Sequence, residues 1–209
     1  MPAITQQRFS AEDRRNQILQ VATELFASKG YEGATTREIA RRARVNEAII
    51  FRHFPTKEEL YWAVIEAKVQ SAGTKEFMRD ILNAGKPLRE TFSDLAETIL
   101  RRREKDQTLS RLLFFSALEN HRLSQRFFQS YVADYYELLG DFIQQRIDGG
   151  QFRHVDAQLA ARGFLGMVVY HSLIQDLFGG SKFHPFDLHA AAESMTDIWL
   201  EGMLSKTTS

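Results

Sequence analysis

The sequence contains no cysteine, only four prolines and no excess of charge of either sign, with 27 basic and 27 acidic side chains in 209 residues. Without cysteine the chain cannot hold a disulfide scaffold, a thiolate metal site or a cysteine nucleophile. It also lacks the run of about 18 apolar residues that a membrane helix needs, and its first residues lack the apolar core of a signal peptide. These absences predict a cytoplasmic protein without a membrane segment.

The motifs of common enzyme classes are missing as well. The chain has no Gly-x-Ser-x-Gly, no phosphate-binding loop, no His-Glu-x-x-His and no glycine fingerprint of a dinucleotide site. Among six histidines, only His189 shares the i, i+4 spacing of a metal site with an acidic residue, Glu193. One such pair is too few for a metal site, so we expect no metal. Because the enzyme motifs are missing too, we expect a protein that is not an enzyme, with no catalytic residues and no cofactor.

What the sequence does contain is helical periodicity over most of its length. Apolar residues between Ile18 and Phe26 follow the i, i+3, i+4, i+7 spacing of a helix, which Lys29-Gly30 is expected to end. No segment alternates convincingly with the period of two that marks a strand. We therefore predict an all-α protein, with a small helical module followed by a larger bundle. Further helices are expected from Leu88 through Ile99 and over about residues 109–119, 127–148, 156–178 and 186–204.

Two short helices are predicted after Gly30. Thr35 followed by Glu38 indicates a capping box that opens a helix through about Ala43. Asn46 indicates the N-cap of a second helix that reaches about His53. Two short helices that are joined by a tight turn and preceded by an amphipathic helix are typical of a helix-turn-helix, whose second helix fits a DNA major groove.

The same segment carries a basic patch. Between Thr35 and Lys57 there are six basic and only two acidic side chains, in a chain of zero net charge. A local patch on a neutral protein indicates contact with a polyanion at one place. Double-stranded DNA is therefore the expected partner.

The run from Gly33 to Leu60, GATTREIARRARVNEAIIFRHFPTKEEL, resembles the DNA-binding signature of the tetracycline-repressor (TetR/AcrR) family. The resemblance covers about residues 12–72, and residues 73–209 match the family only as an all-helical domain of the expected size. It implies an N-terminal tri-helical DNA-binding domain over 12–72 and an effector-binding and dimerisation domain over 73–209. It further implies a homodimeric transcriptional regulator, usually a repressor, that a small molecule releases from a palindromic operator.

Carried over position by position, the resemblance implies that Thr36 contacts phosphate, that Arg37 reaches a base and that Lys57 lies beside phosphate. The recognition-helix residues 47–49 face the groove, while Phe51 and His53 contact the DNA backbone. The DNA-binding residues expected on this basis are Thr36, Arg37, Arg44, Glu47, Ala48, Ile49, Phe51, Arg52, His53 and Lys57.

The chain departs from the family pattern at several of these positions. Arg44 occupies a turn position that usually holds glycine, and a left-handed backbone there costs about 1 kcal/mol. Phe51 replaces the more common tyrosine and has no hydroxyl to donate. For Glu47 two interpretations stay open: it accepts a hydrogen bond from cytosine, or it is a first-turn acid that stabilises the helix N-terminus.

Residues 127–143 carry apolar groups on more than one helical face. A helix that is buried on all sides is central and can line a cavity, although aromatic side chains at helical spacing usually belong to a core. We expect a small, mostly apolar or aromatic effector in the second domain. The candidate effector-binding residues are Phe114, Phe115, His121, Phe127, Tyr131, Tyr135, Phe164, Met167 and His171.

The last two helices, about 156–178 and 186–204, are rich in small residues that allow close helix packing. We expect them to form the homodimer interface as a four-helix arrangement, with the alternative that both are internal core helices. Two other functions stay open at this point: a small-molecule carrier, and an architectural DNA binder of low specificity. The exposed basic helix-turn-helix argues against the carrier, and preference for one palindrome distinguishes a regulator from an architectural protein.

Overall fold

The computed structural model describes residues 10–119 and 121–205, except for the side chain of residue 121. The chain forms two compact units. Of the described residues, those up to Ser71 and those of the segment Thr108–Ser124 form unit 1, and Ala72–Gln107 and those from Gln125 onward form unit 2. The segment Thr108–Ser124, which the sequence analysis grouped with the second domain, thus packs in unit 1.

The described residues are almost entirely helical, which confirms the predicted all-α class. Apart from one isolated antiparallel bridge, Phe152 to Leu204, these residues contain no β-structure. In chain order the helices are α1 (Ala11–Gly33), α2 (Thr36–Arg42), α3 (Glu47–His53), α4 (Lys57–Ala72), α5 (Thr74–Leu82), α6 (Leu88–Lys105), α7 (Thr108–Glu119), α8 (His121–Phe127), α9 (Ala133–Asp148), α10 (Ala157–Ser172) and α11 (Leu188–Met203). No helix in this part of the chain is long and apolar enough to cross a membrane.

In unit 1, α1 begins at a capping box and bends where the sequence predicts its end. Ser10 Oγ accepts a hydrogen bond from the Asp13 amide, and the Asp13 carboxylate accepts one from the Ser10 amide. Gly30 has φ +76° and ψ 179°, which interrupts the helical backbone. The chain therefore changes direction before α2, and only glycine adopts this conformation at little cost.

In unit 2, an aromatic cluster lies at the centre of the core. The Phe92 ring centroid is 4.9 Å from that of Phe164 and 4.5 Å from that of Trp199. Phe142 and Phe152 pack around the same ring. Since these residues come from α6, α9, α10, α11 and the loop before α10, the cluster joins most of the unit.

Two short π-helical turns lie within segments that the sequence predicts as continuous α-helices. One, Phe128–Val132, separates α8 from α9 within the helix expected over 127–148. The other, Leu173–Leu177, continues α10 to the end of the helix expected over 156–178. The sequence analysis also missed α5, which lies directly after the Ser71-Ala-Gly segment.

Candidate DNA-binding site and effector-binding residues

The helices α2 and α3 are fixed by local capping. Thr35 Oγ1 accepts a hydrogen bond from the Glu38 amide at 3.1 Å, and Asn46 Oδ1 accepts one from the Ile49 amide at 2.9 Å. The Val45 amide donates to the Ala40 carbonyl at 3.0 Å and closes the turn. Both expected N-caps are therefore present, and they set the start of each helix.

Burial separates an inward from an outward face in this pair of helices. Ile39, Ala40 and Ile50 are buried, so they pack α2 and α3 onto the rest of unit 1. Five of the expected DNA-binding residues are exposed: Arg37, Arg44, Ala48, Phe51 and Arg52. The other five are half-buried: Thr36, Glu47, Ile49, His53 and Lys57.

The turn between the helices contains a strained residue. Arg44 has φ +53°, in the left-handed region that favours glycine, and it is the only described non-glycine residue with positive φ. The left-handed backbone at Arg44 therefore costs about 1 kcal/mol. Its side chain is exposed, so a cation is presented to solvent at this turn.

Thr36 and Glu47 form a hydrogen bond that connects α2 to α3. Thr36 Oγ1 donates to Glu47 Oε1 at 2.6 Å. The Thr36 hydroxyl hydrogen is thus occupied. The Glu47 carboxylate lies in the first turn of α3, where it also favours the helix N-terminus.

The Glu38 carboxylate lies close to basic side chains that the sequence analysis did not connect with it. Its carboxylate oxygens lie 2.8 and 2.9 Å from Lys29 Nζ, and Arg42 Nη2 is 3.5 Å away. The hydrogen bond from Lys29 lowers the pKa of Glu38. The carboxylate that the sequence assigned to a capping box at Thr35 therefore binds Lys29 in place of the Thr35 amide.

The start of α4 holds a cation over an aromatic ring. Lys57 Nζ lies 4.4 Å from the ring centroid of Tyr31, and the Arg15 guanidinium lies 5.0 Å from that of Phe54. Such contacts fix cations without neutralising them. Sequence reasoning missed Arg15, because one arginine in an amphipathic helix carries no signal of its own.

The end of α1 is also held by α7. Arg111 Nε donates to the Ala27 carbonyl at 2.6 Å, and Glu119 Oε2 accepts a hydrogen bond from the Glu32 amide at 3.0 Å. Tyr61 Oη donates to the Leu112 carbonyl at 2.6 Å, and burial raises the pKa of Tyr61. The segment that precedes α2 is therefore positioned by side chains of α7.

Two candidate effector-binding residues belong to this α7 contact. Phe115 packs at Gly30, where an added Cβ would lie 2.8 Å from Phe115 Cδ1. Phe114 lies one position earlier and is exposed. The structure thus places both in unit 1, against or beside α1, and the side chain of His121 lies outside the described residues.

The remaining candidates lie in unit 2 but do not form one lining. Phe164 is fully buried against Phe92 and Trp199, so it belongs to the aromatic core. The rings of Phe127 and Tyr131 are 5.5 Å apart. Tyr135 and Met167 are half-buried and pack against the core, and His171 is half-buried at the end of α10.

A surface cleft of about 450 Å³ lies in unit 1, between α1, α4 and the start of α7. None of the candidate effector-binding residues lines it. The lining residues are Asn16, Leu19, Gln20, Thr23, Glu24, Ala27, Ala67, Lys68 and Thr108.

Two family models match this chain. Residues 18–64 match bacterial regulatory proteins of the tetR family. Residues 87–201 match the C-terminal domain of AefR-like transcriptional repressors. The two matches together cover both the capped helix pair and most of unit 2.

Individual proteins extend these matches. The chain is 30% identical over 159 residues to the nucleoid occlusion factor SlmA of Vibrio campbellii, an alignment that covers 75% of this chain and 80% of SlmA. It is 36% identical over 95 residues to the HTH-type transcriptional activator FasR of Mycolicibacterium smegmatis, covering 43% of each, so that match spans less than half of FasR. The transcriptional regulator FadR from Bacillus subtilis, solved in complex with stearoyl-CoA, has the same fold, with a TM-score of 0.73 at 20% identity over 90% of this chain and 98% of FadR.

Proposed function

Since this chain belongs to the tetR family of bacterial regulatory proteins and is a transcriptional regulator, we propose that it acts as a homodimeric repressor of a palindromic operator. A small, mostly apolar or aromatic effector releases it. The observation that carries the proposal is the capped pair α2 and α3, which presents Arg37, Ala48 and Arg52 on an exposed face. A protein that only carries small molecules has no use for such a surface.

In this proposal, α3 enters the major groove and α2 crosses the DNA backbone. Arg37 and Ala48 reach base edges, and Arg44 and Lys57 contact phosphate. The strain at Arg44 supports this assignment, because a cation in a glycine position is retained at a cost in stability. We propose that residues 12–72 bind DNA and that residues 73–209 bind the effector and form the dimer.

The proposed dimer interface is formed by α10 and α11. Leu159 and Tyr170 on α10 and Ile198 on α11 are each more than 60% exposed. Gly166 and Gly202 leave open space where a Cβ would lie. Large exposed apolar side chains beside small residues are typical of helices that pack against a partner.

Repression is proposed over activation because the family model that covers residues 87–201 describes a repressor. FasR is named as an activator, and its alignment covers less than half of either chain. A reporter gene placed behind the selected operator distinguishes the two: expression falls with a repressor and rises with an activator.

Binding-site selection from random DNA duplexes tests the proposal. We expect a palindromic winner that the protein prefers to random duplex by at least about 10³-fold, measured by fluorescence anisotropy at fixed salt. Specific binding should weaken when an effector is added. Weak binding without a palindrome, unchanged after the protein is unfolded, stripped of ligand and refolded, contradicts the proposal.

A further inference from the structure

A group of polar side chains lies in unit 2, where α6 ends and α10 passes into the π turn Leu173–Leu177. Arg103 Nε donates a hydrogen bond to Ser172 Oγ at 2.6 Å. The π turn contributes Gln175 and Asp176, and the last turn of α10 contributes His171. We call Arg103, His171, Ser172, Gln175 and Asp176 the polar cluster.

Two buried atoms of the polar cluster, His171 Nε2 and Gln175 Oε1, have no hydrogen-bond partner among the residues that the structure describes. A buried polar atom left unpaired costs about 1–3 kcal/mol. The two residues are four positions apart, so both side chains leave the same side of the helix. Single π turns occur often at functional sites, which makes a ligand the natural partner of these atoms.

The charges within the polar cluster offset one another. Burial lowers the pKa of Arg103, which the charge of Asp176 counteracts. Burial also raises the pKa of Asp176, and the nearby Glu104 acts in the same direction. Burial lowers the pKa of His171, which favours its neutral ring. An anionic ligand group would add to the negative charge of Asp176 and the nearby Glu104 in a partly buried place, and this is costly.

A hydroxyl group suits either unpaired atom without adding charge. It can donate a hydrogen bond to Gln175 Oε1 or accept one from the protonated Nε2 tautomer of His171. An aromatic ring lies beside this position, since the Phe186 ring centroid is 5.6 Å from that of His171 and Phe186 is 59% exposed. The surroundings therefore suit the polar end of a molecule whose body is apolar.

We propose that the polar cluster binds the polar end of the effector, and that the effector is an uncharged molecule with a hydroxyl group on an apolar body. The proposal rests on the effector binding proposed above. It narrows the ligand class to hydroxyl compounds such as phenols and alcohols, and it excludes carboxylates. Arg103 and Asp176 act as positioning residues, because they orient Ser172 and the π turn.

Three matched probes test the ligand class on the full-length protein: phenol, toluene and benzoate. Dissociation constants are measured by ligand-observed NMR, and the ¹⁵N shift of His171 Nε2 reports where the probe binds. We expect phenol to bind about tenfold more tightly than toluene, the effect of hydrogen bonds to otherwise unpaired buried atoms. Benzoate should bind more weakly than phenol. Tighter binding of benzoate, or equal binding of phenol and toluene, overturns the proposed class.

The variant Gln175→Leu tests the site. We expect it to abolish the preference for phenol and to raise the Tm of the ligand-free protein by about 2–4 °C, because it removes a buried unpaired atom. Gln145→Leu on the exposed face of α9 is the matched control and should keep the preference. A lower Tm with an unchanged preference for phenol means that Gln175 is structural, and it overturns the site.

DNA binding of the same proteins separates the two proposals. Ligand-free Gln175→Leu should bind the selected operator as the unsubstituted protein does. If no protein binds a specific operator, the proposed regulation fails, while the phenol and toluene comparison still decides the polar cluster.

Discussion

At the scale of single residues, the DNA-binding surface combines a strained cation with a carboxylate. Arg44 keeps a positive φ that glycine would adopt at less cost. Glu47 brings negative charge to the first turn of α3 and accepts the hydroxyl hydrogen bond of Thr36. Arg44 lowers the stability of the fold, and Glu47 weakens the attraction to DNA. A substitution at either residue therefore has an expected effect of definite sign.

Arg44→Gly should stabilise the fold and weaken DNA binding. Glycine relieves the left-handed strain, so the free energy of unfolding in urea should rise by up to about 1 kcal/mol. Loss of one cation should reduce the slope of log affinity against log salt by about 1 if Arg44 contacts phosphate. Arg42→Gly, within α2, is the control and should destabilise by about 1 kcal/mol. Equal destabilisation by both substitutions would show that Arg44 carries no backbone strain.

Glu47→Gln should increase affinity for any DNA duplex. Glutamine still accepts the Thr36 hydrogen bond but removes a charge that repels phosphate, an effect of about 1 kcal/mol for two unit charges 4 Å apart in water. Anisotropy with random duplex should therefore show a several-fold lower Kd, and Glu90→Gln on α6 should leave the Kd unchanged. A loss of affinity confined to one base pair of each half-site would instead assign Glu47 to base reading.

At the scale of elements, the end of α1 depends on a glycine for two separate reasons. Gly30 has φ +76°, and an added Cβ would meet both the Glu119 carboxylate and the Phe115 ring. Gly85, in the turn after α5, has φ +69° but nothing within 4 Å of an added Cβ. The pair separates backbone strain from steric overlap.

Gly85→Ala should therefore lower the free energy of unfolding by about 1 kcal/mol, through backbone strain alone. Gly30→Ala should cost a further 1–3 kcal/mol or so, because α7 has to move away from α1. Urea unfolding of both variants measures the difference. Equal decreases in the free energy of unfolding would mean that the side chains of Glu119 and Phe115 move aside without cost. In that case α7 does not determine the position of the end of α1.

The helices with strong local signals could be predicted from the sequence, and the tertiary details could not. Thr35 and Asn46 are caps whose effect is local, so α2 and α3 begin where expected. Over a few residues, the π turn at Phe128–Val132 has the same apolar periodicity as an α-helix. The periodicity of the sequence therefore does not distinguish the two. Phe164 carries the same aromatic signal whether it lines a cavity or fills a core, and only packing against Phe92 assigns it to the core.

The sequence constrains the candidate DNA-binding residues more closely than the candidate effector-binding residues for a physical reason. A DNA groove imposes one helix size and one set of outward positions, so position along α2 and α3 largely determines role. An effector site depends on which buried polar atoms remain unpaired, and this follows from contacts between distant segments. The sequence analysis named His171 as a candidate but not Arg103 and Gln175, because Arg103 reaches α10 only through its contact with Ser172 and Gln175 lies in the π turn after α10.

At the scale of the whole molecule, the proposed regulation requires two reading heads at a defined separation. Palindromic half-sites lie about 34–36 Å apart, or a multiple of that distance. A dimer that joins two DNA-binding units gains affinity by about 10²–10⁴-fold over either alone, because the second contact becomes intramolecular. In the proposed dimer, the exposed apolar residues of α10 and α11 are therefore as important to operator binding as the residues of α3.

Ile198→Glu should separate the proposed dimer. Ile198 is 63% exposed on α11, so its replacement leaves the core intact while it places a charge in the proposed interface, where desolvation is costly. Sedimentation at micromolar concentration should show twice the chain mass of 24.1 kDa for the unsubstituted protein and a single chain for the variant. Operator affinity should fall by about 10²-fold or more. Leu118→Glu, at an 82% exposed position of α7, is the control and should remain dimeric. If Ile198→Glu stays dimeric with full operator affinity, α11 does not form the interface, and the two reading heads are joined through another surface.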